Sequence, residues 1–202
     1  MENKENKDEI FKDYKRFLLF DTETSSLSPD NGEILELGGL LCEKQNDGTF
    51  KLIKEIQTLI KNNNPIPWNI TQINHITNDM CKKDGISKQE LYDLLITMFG
   101  HKDTLIIAYN TPFDMKFVKA FIKEMNPEYV VNNDTLDLLE IARDRTHTFR
   151  GNKLCDMLVR YEITDEENSH RALDDCKATL KVMRAFWKEK NDIENYIRRY
   201  YD

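Results

Sequence analysis

Strand-like segments dominate the first part of the sequence, and their order restricts the fold more than any other feature. Three short apolar runs lie at residues 16–24, 33–44 and 49–60. An Asn-Asp-Gly turn separates the second run from the third, which is typical of an antiparallel hairpin. We therefore expect the chain to open with three strands, the second and third of them antiparallel.

Helical patterns alternate with strand-like segments in the rest of the chain. Residues 103–110 are strand-like, and residues 111–125 carry apolar side chains at helical spacing with Pro112 in the first turn. A short strand runs into a helix within residues 129–144, and one long helix is predicted over residues 169–190. Shorter helical patterns lie at residues 86–100 and 151–162, and a loop is expected at residues 62–70. This order predicts an α/β fold, a mixed sheet flanked by helices.

One domain accounts for the whole pattern. The chain has 202 residues, of which 40% are hydrophobic, enough to bury an ordinary core. Residues 1–15 are charged almost throughout and are expected to form a solvated arm. Residues 16–202 are then expected to form the single domain.

Composition excludes several classes of protein. No apolar run approaches the roughly 18 residues that a membrane span needs, and the N-terminus lacks the apolar segment of a secretory signal. The four cysteines occur singly, which argues against a disulfide framework or a zinc ribbon and favours a cytoplasmic protein. The net charge of -7 argues against nucleic-acid binding, except where clustered carboxylates hold cations that reverse the local field.

Four carboxylates and one histidine occupy strand ends and helix starts, which meet at one edge of such a fold. Asp21 and Glu23 are two residues apart at the end of an apolar strand, so they share a face. Asp114 lies in a first helical turn, and Asp175 follows His170 by five residues. Such oxygen ligands suit two Mg²⁺ or Mn²⁺ ions, and a histidine beside them can accept a proton from attacking water. The residues predict metal-assisted phosphodiester hydrolysis.

Three ordered motifs carry a resemblance to a known family. FDTETSSL, YNTPFDMKF and HRALDD resemble the three exonuclease motifs of the DnaQ-like 3′–5′ exonucleases with the Asp-Glu-Asp-Asp-His signature. This group includes the proofreading (epsilon) subunits of bacterial DNA polymerase III, and the similarity extends over about residues 16–187. The resemblance implies a ribonuclease H-like fold and release of 5′-mononucleotides from a free 3′ end.

The same resemblance implies a role for each motif residue. Asp21 would bridge both metal ions, and Glu23 and Asp175 would complete the shell of the ion that carries the nucleophilic water. Asp114 would serve the second ion, and His170 would be the general base. The substrate-binding residues that the resemblance implies are Thr22, Thr24, Leu27, Asn74, Asn110 and Phe113, with Leu27 as an apolar wedge near the last bases.

The substrate and the partners stay open at this point. DNA with a single-stranded or frayed 3′ end is favoured, because the motifs are most similar to the proofreading type. The alternatives are an RNA 3′-end trimmer similar to ribonuclease T or oligoribonuclease, and a non-catalytic module that binds 3′ ends. Asn74 and His75 stand where proofreading subunits often carry His-Gly, and Tyr109 stands where a His is common, which affects the expected substrate preference. The chain ends soon after its last motif, which argues against a stable polymerase partner.

A few further residues carry simpler expectations. The segment 143–160 is rich in Arg and Lys and is either a surface that contacts the nucleic-acid backbone or a solvated helix face. Trp68 and Trp187 are expected to pack in the interior. Cys155 and Cys176 lie at helical positions and are expected to be small core residues.

Overall fold

The computed structural model describes residues 10–164 and 171–200. Within them one six-stranded sheet has the strand order β3-β2-β1-β4-β5-β6. The strands are β1 (Arg16–Thr24), β2 (Ile34–Lys44), β3 (Phe50–Leu59), β4 (Thr104–Ala108), β5 (Thr135–Asp137) and β6 (Ile197–Arg198). The α-helices are α1 (Trp68–Asn74), α2 (Asn78–Asp84), α3 (Lys88–Phe99), α4 (Thr111–Met125), α5 (Leu138–Thr146), α6 (Leu154–Arg160) and α7 (Ala172–Glu189). A 3₁₀ helix, Ile193–Tyr196, precedes β6.

The sheet is mixed, as predicted from the order of the segments. Its first three strands pair antiparallel, β1 with β2 and β2 with β3. β4 lies parallel to β1 and β5 lies parallel to β4, whereas β6 returns antiparallel to β5. Helices cover both faces, which confirms the predicted α/β class with a mixed sheet.

The central strand β1 is buried on both faces and divides the apolar core into two layers. Phe17 and Leu19 pack into the layer formed with α5, α6 and α7. Leu18 and Phe20 pack into the layer formed with α3 and α4. Because side chains alternate along a strand, residues 21 and 23 continue the odd-numbered series toward α7.

The N-terminal segment differs from the expected solvated arm. Phe11 is fully buried, and its ring contacts Phe17 and Phe50 edge-on at centroid distances of 5.9 and 6.3 Å. Tyr14 is also buried, and its hydroxyl donates to Asp134 at 2.6 Å. Residues 10–15 therefore belong to the packed domain, because burial of the two aromatic side chains favours packing even though their neighbours in the sequence are charged. Residues 1–9 lie outside the described part of the chain.

Two short helices occupy a region where no helix was predicted. α1 begins after Pro67, inside the expected loop, and α2 begins at Asn78. Thr77 caps α2, since its side chain accepts a hydrogen bond from the backbone of Met80 at 3.2 Å. Helices of seven residues show too little apolar periodicity to be recognised, and they are stabilised by packing rather than by their own propensity.

Other expectations are corrected or confirmed by burial. Trp68 was expected inside but is 75% exposed, and Cys155 is exposed rather than a core residue. Trp187 packs against the core and Cys176 is buried, as expected. The last long helix begins at Ala172, and residues 165–170, where its start was predicted, lie outside the described ranges. In the described ranges, every helix is too short or too polar to cross a bilayer.

Candidate active site

Three carboxylates meet at the C-terminal end of β1. β4 pairs with β1 as far as Leu19, so the rest of β1 extends beyond its parallel neighbour. Asp21 and Glu23 lie in this extension on the face that α7 covers, and Asp175 comes from the first turn of α7. Each offers one oxygen, and these atoms all lie within 4.8 Å of one another, so the three residues can hold a metal ion.

Asp114 approaches from the opposite side of β1, in the first turn of α4. It is 2% exposed, and its Oδ1 accepts hydrogen bonds from the Thr22 backbone N–H at 2.9 Å and the Thr22 hydroxyl at 2.7 Å. The start of α4 is itself anchored by Asp137, which accepts from the N–H groups of Asn110 and Thr111 at 2.9 and 3.3 Å. Asp114 is therefore held firmly, although it does not belong to the group of three.

Burial and the neighbouring negative charges raise the pKa values of the carboxyl groups in and beside the cluster, so their ionised forms are disfavoured. Burial first, and then the charges of Asp114 and Glu23, raise the pKa of Asp21 well above its usual value. Burial and the charge of Asp175 raise the pKa of Glu23 to about 8. Burial raises the pKa of Asp114 and of Asp175 to about 7 each. Carboxylates assembled in this way repel one another until a cation lies between them.

An unpaired atom supports the same interpretation. Oδ1 of Asp175 is buried and has no hydrogen-bond partner among the described residues, although buried carboxylate oxygens are normally bonded. Divalent cations such as Mg²⁺ and Mn²⁺ prefer carboxylate oxygens as ligands. The donor set and the unpaired oxygen therefore fit a divalent cation.

The first turn of α7 is pressed against β2 at a glycine and a buried ion pair. A Cβ on Gly38 would lie 2.5 Å from the backbone oxygen of Ala172, so the helix approaches as closely as it does because position 38 has no side chain. Beside it the fully buried Glu36 accepts from Arg171 Nη2 at 2.5 Å and from the Ala172 N–H at 3.0 Å. This packing determines where Asp175 stands relative to β1.

Three of the expected substrate residues face the surface around the cluster. Leu27 is 79% exposed in the loop after β1, and Asn110 is exposed just before α4. The Asn110 backbone is left-handed, with φ 74°. Phe113 is half-buried in the first turn of α4. The side chains of Leu27 and Asn110 are thus accessible to solvent and that of Phe113 is partly so, and the last two flank the start of α4, the helix that carries Asp114.

The other three expected substrate residues are buried behind the carboxylates. Thr22 donates to Asp114, and Asn74 donates to Glu23 through its side chain. Thr24 is buried, and its hydroxyl donates to the Ser26 carbonyl at 2.8 Å. Their observed contacts orient the carboxylates of Asp114 and Glu23 and the loop after β1. His170, the expected base, lies outside the described residues.

Sequence reasoning missed three residues that hold this site together. Glu36 and Arg171 form the ion pair under α7, and Asp137 anchors the start of α4. Asp137 carries a usable signal, because an Asp before an apolar helical pattern is a typical N-cap, and it does cap α5. Glu36 is also visible in retrospect as an acid inside an otherwise apolar strand.

The basic segment 143–160 is only partly a surface. Arg143, Arg150, Lys153 and Arg160 are exposed. The side chain of Arg145 is 6% exposed and forms ion pairs with acids near the C-terminus, so it stabilises the fold instead. The loop after α5 is attached to β4 by a hydrogen bond from the Tyr109 hydroxyl to the carbonyl of Asn152.

Comparison with known proteins supports this description of the fold. Escherichia coli exonuclease I in complex with a dT13 oligonucleotide superimposes with a TM-score of 0.73 at 17% identity, over 90% of this chain and 42% of that one. Exonuclease X in complex with 5′-overhanging duplex DNA superimposes with a TM-score of 0.62 at 18% identity, over 87% of this chain and 93% of that one. The sheet and its helices thus define the ribonuclease H-like exonuclease fold.

Sequence comparison then shows the family. Residues 18–183 match the RNase T exonuclease family, and the chain belongs to it. The PolC-type DNA polymerase III of Caldanaerobacter subterraneus subsp. tengcongensis is 30% identical over 166 residues, 82% of this chain and 11% of that protein. The PolC-type DNA polymerase III of Thermotoga petrophila is likewise 30% identical over 172 residues, 84% of this chain and 12% of that protein. The chain thus spans a small part of these relatives, and the expectation about a polymerase partner stays a prediction.

Proposed function

We propose that this chain is a metal-dependent 3′–5′ exonuclease that removes 5′-mononucleotides from single-stranded or frayed 3′ ends of DNA. The observation that carries the proposal is the carboxylate cluster of Asp21, Glu23 and Asp175, with Asp114 on the other side of β1. Membership of an exonuclease family and the similarity to DNA polymerase III of PolC type support DNA as the substrate class.

Two divalent ions, Mg²⁺ or Mn²⁺, form part of the proposal. Asp21, Glu23 and Asp175 would hold one ion, and Asp114 together with Asp21 would hold the other. When bound, the ions supply Lewis-acid stabilisation of the charge on the attacking and leaving oxygens of the phosphodiester. The chain's own contribution is to fix the ligands in advance, through the Thr22 bonds to Asp114 and the Asn74 bond to Glu23.

His170 is the proposed general base, which accepts the proton of the attacking water. The role comes from the motif HRALDD, in which this histidine immediately precedes Arg171. Arg171 is anchored on β2 by Glu36.

Exposed apolar and basic side chains would bind the strand. Leu27 and Phe113 would offer apolar surface to the terminal bases, and the exposed Asn110 would add a polar contact three residues before Phe113. Arg150 and Lys153 are exposed cations that suit phosphate contacts, which would position the strand without reading its sequence.

The decisive experiment follows the shortening of 5′-labelled single-stranded DNA and RNA of the same sequence on a denaturing gel. Mg²⁺ or Mn²⁺ should produce a ladder that shortens from the 3′ end, EDTA should stop it, and a 3′-terminal phosphorothioate should slow it. DNA should be the faster substrate. Faster RNA cleavage would favour the RNA-trimming alternative, and no cleavage by folded, metal-supplied protein would favour the binding module.

Adjacent aspartates provide a matched control. Asp175→Asn should lower the rate at least about 10³-fold, because it removes a metal ligand. Asp174→Asn removes the same charge one residue away, on a side chain outside the group of three, and should stay within about threefold of wild type. Equal losses in the two variants would contradict the assignment of Asp175.

A further inference from the structure

The loop that carries Leu27 is closed by its own hydrogen bonds. Residues 25–33 connect β1 to β2, and the Ser25 N–H donates to the Glu33 carbonyl at 2.9 Å while the Glu33 N–H donates to the Ser25 hydroxyl at 2.8 Å. A Cβ on Gly32 would lie 2.5 Å from the Cβ of Ser26, so the two sides of the loop touch. The loop is a compact unit that presents an exposed leucine side chain to solvent.

Lys116 joins this loop to α4. Its Nζ donates to the carbonyl oxygen of Leu27 at 2.5 Å and lies 4.4 Å from the centroid of the Phe113 ring. The ammonium group also lies 5.6 Å from the ring of Phe117, which packs against Phe113 at a centroid distance of 5.5 Å. One cation therefore contacts both apolar residues that the proposed function assigns to the terminal bases.

Lys116 is separate from the carboxylates. It follows Asp114 by two positions, which places the two side chains about 200° apart around the helix. Asp114 is buried against Thr22, whereas Lys116 is exposed on the loop side of α4. An effect of Lys116 on the reaction would therefore pass through Leu27 and Phe113 and leave the ligands in place.

We propose that Lys116 is a positioning residue that fixes Leu27 and Phe113 as one apolar surface against the last bases of the strand, and thereby sets the activity on paired 3′ ends. This inference rests on the proposed function. An apolar side chain that separates stacked or paired bases acts against the free energy of base stacking and pairing, so it has to be held rigidly. A neutral residue at position 116 would leave Leu27 in place but no longer attached to α4, so that its side chain could move when it meets the bases.

The first measurement does not depend on catalysis. Amide hydrogen exchange of residues 25–33 should be faster in Lys116→Met than in wild type, because the loop has lost its attachment to α4. Lys119→Met removes the same charge one turn along the same helix and should leave this exchange unchanged. Unchanged exchange in Lys116→Met would overturn the inference, whether or not the chain cleaves DNA.

The second measurement compares kcat and KM on single-stranded DNA with those on a blunt duplex. Lys116→Met should lower kcat/KM on the duplex about tenfold more than on the single strand, and Lys116→Arg should restore most of the loss. In a Leu27→Ala background, Lys116→Met should cause almost no further loss of kcat/KM on the duplex, because both substitutions remove the same apolar contact of Leu27 with the bases. A wild type without nuclease activity would count against the proposed function, while the exchange result still decides the role of Lys116.

A direct phosphate contact is the competing explanation and has a different signature. It predicts that Lys116→Met raises KM equally on both substrates, also in the Leu27→Ala background. It also predicts that the dependence of log binding constant on log salt becomes shallower by about one unit. Either result would overturn the positioning role.

Discussion

Replacing Gly38 with alanine tests how α7 is positioned on the sheet. Gly38 lies directly opposite Asp21 in the β1–β2 pairing and faces the first turn of α7. An added Cβ would lie 2.3 Å from the carbonyl carbon of Ala172 and 2.5 Å from its oxygen, whereas ordinary contact begins at 3.4 Å. The backbone of the helix must therefore withdraw by about 1.1 Å, the difference between the shortest of these distances and ordinary contact.

The expected effect on the reaction follows from that displacement. Asp175 lies one turn along the same helix, so it moves with Ala172 and away from Asp21 and Glu23. A displacement of about 1 Å in a catalytic group lowers a rate on the order of 10²-fold, and overpacking costs about 1–3 kcal/mol of stability. Mn²⁺ affinity should fall as well, on the order of tenfold, because one ligand is misplaced.

Gly39→Ala is the matched control. Gly39 points to the other face of the same strand, where an added Cβ would lie 3.3 Å from the terminal methyl of Met98 and 3.5 Å from Ile56 and Leu18 side-chain carbons. Flexible side-chain ends can give way by a few tenths of an ångström, so the rate should stay within about threefold of wild type. Nuclease rates, thermal unfolding and Mn²⁺ titration of both variants make the comparison. A folded Gly38→Ala protein with wild-type rate and Mn²⁺ affinity would refute the argument that this contact positions Asp175.

Three further predictions concern charge and packing. Without divalent metal, the free energy of unfolding should fall as pH rises from about 4 to about 8. The pKa is raised to about 7 for Asp114, to about 7 for Asp175 and to about 8 for Glu23. In this pH range the folded state therefore binds protons that the unfolded chain has already released. Thermal unfolding at several pH values checks this, and a rise in Tm over the same range would contradict it. Added Mn²⁺ should raise the Tm of the protein more at pH 8 than at pH 5. Asp175→Asn should raise the metal-free Tm at pH 8, since its charge raises the pKa of both Asp21 and Glu23, and an unchanged or lower Tm would show that this repulsion is weak. Phe11→Ala should cost about 3–5 kcal/mol in urea unfolding, as for other fully buried aromatics, and a cost below about 1 kcal/mol would restore the view of a solvated arm.

The sequence was informative wherever one short segment carries both the structure and the chemistry. Asp21 and Glu23 stand out because an apolar strand ends in two acids on the same face, and Asp114 stands out because it starts an amphipathic helix. Trp68 was misjudged for the opposite reason. Its exposure follows from how a seven-residue helix sits on the rest of the fold, which local patterning does not encode.

Residues that support the site come from distant parts of the chain and were therefore not predicted. Glu36 bonds to Arg171 across 135 positions, and Thr22 bonds to Asp114 across 92. In the motif alone Thr22 is indistinguishable from a substrate contact, because a hydroxyl suits either partner. Only the packing of α4 against β1 shows that its hydroxyl is used by a carboxylate.

These supporting contacts also explain why the carboxylates by themselves do not make a working site. Glu36 lies opposite Glu23 in the β1–β2 pairing, where two like charges would repel, and Arg171 compensates by pairing with Glu36. Gly38 then lets the helix that begins beyond Arg171 approach the same strand. A chain that kept all four carboxylates but carried a larger residue at position 38 would retain the motifs and lose the short distances among Asp21, Glu23 and Asp175 on which the proposed cation site depends. The geometry of this site therefore depends on β2, a strand that contributes no proposed metal ligand.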